Sequence, residues 1–379
     1  MTQACKSNES CPNNVSASRL GSLMRLLHLR RLQESLSLGT QPSMRNAMLA
    51  GLQAALTVAI CVPLFALSPW SHLVGYASLG ALVALFGRFA PARARSGIVL
   101  ECAFWQSFAV LTMSAATWLE WSSTAKLVFL ALACSFYVVI CLVRKLGAPG
   151  PLIFIFAVGA SMTGTLSLSQ VLERTAATAV VAACAWLICA ATEKLRQPAG
   201  EEGLTFPSAP QLPTLDLFLM AVRVAVAALL VVFISDALGM SHPAWAAMGA
   251  VAVLQASQLH INMHRAVQRM AGTVLGAALA WVLLVQNPSI WSIVAVLVAL
   301  QFLTEIVIGI NYALGQVLIT PMALLMTYLA APTAAGTAMV AERVVDTVLG
   351  AIVGMLIAVL LSRMKERRTL ALHHGSRAR

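Results

Sequence analysis

Residues 269–277 read Arg-Met-Ala-Gly-Thr-Val-Leu-Gly-Ala, and residues 343–351 read Arg-Val-Val-Asp-Thr-Val-Leu-Gly-Ala. Both place Arg first, Thr four residues on and Gly seven on, and both then continue into apolar sequence. On a helix those offsets bring Arg, Thr and Gly close to one face. Gly lets a neighbouring backbone approach, as small residues do between membrane helices. An Arg at the mouth of an apolar helix is costly unless it meets water, lipid phosphate or an anion. Each copy predicts a transmembrane helix with a cationic, hydrogen-bonding stripe near one end.

The rest of the chain agrees. Its 379 residues are 59% hydrophobic and only 10% charged, where a soluble domain carries about 25% charged residues. The composition predicts an all-α polytopic membrane protein in contact with the lipid bilayer. A formal charge of +11 belongs here to Lys and Arg held in cytoplasmic loops, and nucleic acid is excluded as a partner. The eight cysteines lack zinc-ligand or CxxC spacing, so no metal, cofactor or disulfide framework is expected.

Residues 1–45 form a polar tail, and 19–38 within it read as a basic amphipathic helix on an anionic membrane face. Six apolar segments follow within 46–192. A Pro-rich hydrophilic linker spans 193–215, six more segments fill 216–362, and a basic tail occupies 363–379. With the N-terminus cytoplasmic and every segment crossing once, all Lys and Arg fall inside except Lys126, Arg174, Arg223 and Arg343. The positive-inside rule thus predicts about twelve crossings with both termini cytoplasmic. Residues 19–38 are too interrupted by Arg to be a signal-peptide core.

The two apolar blocks look like copies. A shift of 169 positions lays Gly80 on Gly249, Tyr76 on Trp245, and Glu173-Arg174 on Glu342-Arg343. Six crossings per unit make the two units parallel, with a pathway expected at their interface. Thr178 matches Thr347, but Ala177 stands where Asp346 falls and Leu100 where Arg269 falls. The second unit is expected to carry more of the polar chemistry.

These residues resemble the fusaric acid resistance family, aromatic acid exporter-like integral membrane transporters, most strongly over 242–362. The resemblance rests on His-Pro-Ala-Trp at 242–245, Arg-x-x-Gly-Thr-x-x-Gly from Arg269, Asn311-Tyr312, Thr320-Pro321 and Arg-x-x-Asp-Thr-x-x-Gly from Arg343. It implies a bacterial inner-membrane exporter of small organic anions, often aromatic carboxylates, driven by the proton gradient. It also implies, for some members, a periplasmic adaptor protein. Many members carry large cytoplasmic domains that this sequence does not show, so a membrane-only version is expected. Plant malate channels of the same broad superfamily keep a passive anion channel open as an alternative. A non-transporting scaffold is another, and association into a homo-oligomer is left undecided.

The candidate pathway residues are Arg269, Thr273, Arg343, Thr347, Trp245, Asn311, Tyr312 and Thr320. Arg343, Asp346 and Thr347 share a helix face. They read either as an anion-contacting Arg beside a proton-exchanging acid, or as an ion pair of Arg343 with Asp346 or Glu342. Arg269 reads as its counterpart at the cytoplasmic end, or as a lipid-phosphate anchor. Glu305, a lone carboxylate in an apolar helix, is a proton-carrier candidate unless a loop Arg pairs with it. Glu101 has Arg93 or Arg95 as expected partners. Asp346, Glu342 and His242 complete the proton-coupling candidates. Gly272/Gly276 and Gly350/Gly354 are packing pairs. Most Trp residues read as interface anchors, with Trp245 the exception expected to line the pathway. No nucleophile–base constellation or phosphate-binding loop is present, so an enzyme is not expected.

Overall fold

The computed structural model describes residues 39, 41–197, 212–255, 259–330 and 336–362. The expected amphipathic segment, most of the linker and the C-terminal tail lie outside the described residues. Helix α1 (Met44–Ala66) begins where the Ser43 hydroxyl accepts the Asn46 N–H, the side-chain cap a helix N-terminus needs. Along it Met48, Leu52, Leu56, Ile60 and Leu64 recur at every fourth position and are exposed, while Ala50, Gln53, Ala54 and Thr57 are buried. So long an apolar stripe is untenable in water. In lipid it is the outer face, and the polar side chains turn inward.

The chain continues through α2 (Val74–Ala81), α3 (Ala92–Trp118), α4 (Ser123–Val143), α5 (Leu152–Ala160) and α6 (Leu168–Ala191). The second half holds α7 (Thr214–Ala237), α8 (Pro243–Leu254), α9 (Leu259–Val285), α10 (Ile290–Val307), α11 (Tyr312–Ala330) and α12 (Ala338–Leu360). Among the described residues every regular element is helical. Nine helices among the described residues are long and apolar enough to cross a membrane; α2, α5 and α8 are not among them. A helix of 12 residues, as α8 is, rises about 18 Å against a hydrocarbon core of roughly 30 Å. The twelve predicted segments are therefore nine long helices and three short ones. All residues of α2 and α8 are buried, so protein rather than lipid surrounds the non-helical backbone at their ends, the one setting in which such backbone is tolerated at depth.

The helix ends gather at two poles. At one, Gln41 donates to the Glu305 and Ile306 carbonyls at 3.1 and 2.8 Å, and Arg45 donates to the Leu195 carbonyl at 2.9 Å. Arg95 is buried there, donating to Gln53 at 2.5 Å and to Glu193 at 3.1 Å. Arg196 holds the other Glu193 oxygen at 2.9 Å. This basic pole also carries Arg88, Arg144 and Arg265. At the opposite pole His72 meets Glu173 at 3.2 Å and the Thr117 hydroxyl donates to the Ser161 carbonyl at 3.2 Å. The halves interlock, because α1 packs on α10, α4 on α7, α2 on α11 and α5 on α8.

The two glycine pairs serve two different seams. Gly272 and Gly276 of α9 lie against α11 at Ala313, Gln316 and Thr320, whereas Gly350 and Gly354 of α12 lie against α8 at Ala246 and Ala250. A Cβ at Gly350 would run into the Ala246 carbonyl and sit 2.9 Å from the Ala250 nitrogen and the Gly249 Cα. These are backbone atoms of a buried helix, which have nowhere to go. Gly350→Leu is expected to destabilise the protein by about 3 kcal/mol or more. Gly97→Ala, where a Cβ meets nothing within 4 Å, should be neutral or slightly stabilising. Thermal unfolding of the purified variants in detergent checks both, and equal melting temperatures would refute the close seam.

Candidate anion site

Polar side chains inside apolar helices need a reason, and here they converge. A cavity of about 580 Å³ opens between the halves, within the range of pockets that hold small organic molecules. The first half contributes Leu82, Leu85, Arg88, Val138, Ile153 and Phe156; the second contributes Arg265, Arg269, Gln301, Glu305, Gln316 and Arg343. Met248, Ile319, Met322 and Met326 complete an apolar wall. Four arginines thus face the cavity against the single carboxylate of Glu305.

Arg88 forms a buried ion pair with Glu305. Arg265 reaches the Gln255 side chain at 3.5 Å, and Arg269 donates to the Tyr312 hydroxyl at 3.3 Å. Arg343 sits 5.2 Å from the centroid of the Trp245 ring. Arg269 and Arg343 are 2% and 1% exposed, yet Nε of Arg269 and both Nε and Nη1 of Arg343 have no hydrogen-bond partner among the described residues. The side-chain oxygens of Gln301, Thr304 and Gln316 are likewise unpartnered. A buried guanidinium whose N–H groups are left unmet is a costly arrangement, and the Asp346 carboxylate, which attracts Arg343 electrostatically, does not hydrogen-bond those nitrogens.

The two stripes were expected at opposite ends of the membrane. The structure places them on one cavity. Arg269 lies ten residues into α9 from the basic pole and Arg343 five residues into α12 from the other, so the helices bring both guanidiniums inward from opposite sides. Within the second stripe Asp346 attracts Arg343 electrostatically, while the hydrogen bonds of both acids go to other groups. Glu342 accepts from Ser241 at 3.1 Å and pairs with His242 at 2.8 Å. Asp346 accepts the Ser235 hydroxyl at 2.7 Å, and its second oxygen has no partner.

Other expected residues divide by place. Trp245 and His242 line a second, smaller cavity of about 180 Å³ toward the opposite pole, with their rings stacked 4.2 Å apart. Trp245 is 2% exposed, whereas Trp70, Trp118, Trp121, Trp281 and Trp291 are 38–54% exposed, as interface anchors are. Asn311 caps α11, accepting the Ala313 and Leu314 N–H groups. Thr320 bonds back to the Gln316 carbonyl against Gly276, a packing role. Thr273 and Thr347 are buried with unpartnered hydroxyls but stand off the cavity wall. Glu101 pairs with Arg144 at 2.7 and 3.1 Å rather than with Arg95, because Arg144 ends α4 directly beside it while Arg95 turns inward. Arg88, Arg265, Gln255, Gln301, Gln316 and Phe156 are cavity residues that sequence reasoning passed over. Gln301 and Gln316, amides in the middle of apolar runs, were the available signal.

The first half repeats part of the arrangement. Arg174 lies 4.9 Å over the Tyr76 ring, as Arg343 lies over Trp245, and His72–Glu173 parallels His242–Glu342.

Fold and site together define a polytopic helical membrane protein with an internal cationic cavity. Residues 228–357 match the family described as fusaric acid resistance protein-like, so the resemblance holds over the part of the chain that carries Arg269 and Arg343. The chain is also 37% identical over 102 residues to YvaC, an uncharacterized membrane protein of Bacillus subtilis (strain 168). That stretch is 26% of this chain and 16% of YvaC, so the chain spans only a small part of its relative's length. No solved structure matches the chain.

Proposed function

We propose that this protein moves small organic anions with an apolar or aromatic body, such as aromatic carboxylates, out across a bacterial inner membrane, using the proton gradient. One observation carries the reading: two buried arginines with unpartnered nitrogens face a cavity whose remaining wall is largely apolar. The guanidiniums recognise a carboxylate, and the Met, Ile and Phe side chains accept its hydrocarbon part. Family likeness over 228–357 supports transport over catalysis. The concentration of arginine at one pole supports cytoplasmic termini. The paired Arg–aromatic contacts in the two halves support two parallel units related by a pseudo-two-fold axis. Asp346, with one free oxygen beside the anion site, is the proton-coupling residue in this scheme.

The test is movement of labelled 4-hydroxybenzoate in proteoliposomes with and without an imposed pH gradient. Accumulation against the anion's own gradient is expected, and Asp346→Asn should reduce the system to equilibration. Equilibration by the unaltered protein would replace the coupled transporter with an anion channel. Absence of any flux for a panel of aromatic and aliphatic carboxylates would remove the anion reading.

A further inference from the structure

The two cavities lie on the same helices in consecutive turns. On α5 the large cavity takes Ile153 and Phe156 and the small one Phe156, Gly159 and Ala160. On α11 Met326 lines the first and the adjacent Thr327 the second. On α8 Met248 lines the first, and Trp245, one turn earlier, the second. Arg343, which faces the large cavity, lies 5.2 Å from the centroid of the buried Trp245 ring, and His242 of the small cavity, held by Glu342, stacks on the same ring at 4.2 Å. One indole thus touches a residue of each cavity.

We infer that the small cavity is the outer station of the same anion pathway and that Trp245 is the removable wall between the two. This deepens the transport reading and rests on it. The grip on the ring from the inner side is a cation–π contact from Arg343, the weaker use of a guanidinium; a carboxylate offers it charge-assisted hydrogen bonds. Nε and Nη1 of Arg343 have no protein partner to give up first. An anion arriving at Arg343 draws the guanidinium off the indole, and the ring keeps its stacking on His242 but loses its hold from the inner cavity. The anion thereby loosens the wall it must pass. The outer station suits release. Its wall holds one lysine, Lys126, which donates to the Met162 carbonyl, and one carboxylate, Asp236, and His242 there is paired with Glu342, so the excess of arginines that lines the inner cavity is not repeated among its lining residues.

The experiment places a cysteine at Met248, just inside the wall, and follows its modification by an anionic, membrane-impermeant methanethiosulfonate reagent. Reagent is added from the outer-station side of oriented membrane vesicles, and labelling at position 248 is read by peptide mass spectrometry. With Trp245 intact labelling should be slow. Trp245→Ala should raise the rate at least ten-fold, and Trp245→Phe, which keeps a ring, should leave it slow; matching melting temperatures show that the fold is retained. Saturating 4-hydroxybenzoate should raise labelling several-fold in the Trp245 protein, and Arg343→Ala should abolish that rise. Equal rates with Trp245 and with Ala overturn the wall. A rate unmoved by an anion that binds overturns the unlocking. The Trp245→Ala comparison uses no ligand, so failure of 4-hydroxybenzoate to bind counts against the transport reading and leaves the wall standing.

Discussion

Arg343→Ala and Arg269→Ala are each expected to weaken binding of 4-hydroxybenzoate by roughly 10- to 150-fold, because a hydrogen bond to a charged group contributes about 1.5–3 kcal/mol. Both guanidiniums are buried and face one cavity with nitrogens that no protein atom satisfies. Removing either one takes away one of the three cavity arginines, Arg265, Arg269 and Arg343, that Glu305 does not pair. Arg343→Lys should lie between wild type and alanine, since an ammonium keeps the charge but not the two-pronged fork. Arg144→Ala, at an exposed pair with Glu101, is the control that leaves affinity unchanged. Equilibrium dialysis with the labelled acid in detergent measures all four. Unchanged affinity in both alanine variants would refute the anion site.

Glu305→Gln is expected to cost about 3–5 kcal/mol of stability, the cost of leaving a buried charge without its partner. Arg88 and Glu305 form their ion pair with both side chains nearly inaccessible, 11% and 5% exposed. The double variant Arg88→Gln/Glu305→Gln should recover much of the loss, since two amides can bond to one another and neither carries a charge. A double-mutant cycle in detergent reads the coupling directly. This separates the two roles, proton carrier and ion-pair anchor, that the sequence leaves open for the carboxylate. A Glu305→Gln protein of full stability that no longer accumulates substrate under a pH gradient would make Glu305 the proton carrier instead of an anchor.

Much of this architecture is legible in one dimension because lipid imposes one-dimensional rules. Apolar length marks the long helices, and the lysine and arginine bias sorts their ends. The repeated Arg-x-x-x-Thr-x-x-Gly pattern marks both α9 and α12 and picks out the two buried arginines that line the cavity. Their glycines do pack closely, and Trp245 does differ from the anchoring tryptophans.

The sequence by itself determined membrane insertion, the helix order and the presence of two arginines that must find an anion or an acid, since each follows from local composition and transfer cost. Tertiary structure alone decided where the nearby acids turn. Glu342 pairs with His242 and Ser241, Asp346 accepts from Ser235 with one oxygen, and Glu305 pairs with Arg88 from the other half. Helix spacing put Asp346 within reach of Arg343, but spacing cannot say which neighbouring helix claims a carboxylate first. Likewise the shortness of α2, α5 and α8 depends on protein enclosing their ends, a condition set by packing partners that lie far away in the chain. That competition among distant partners left Arg269 and Arg343 facing a common cavity.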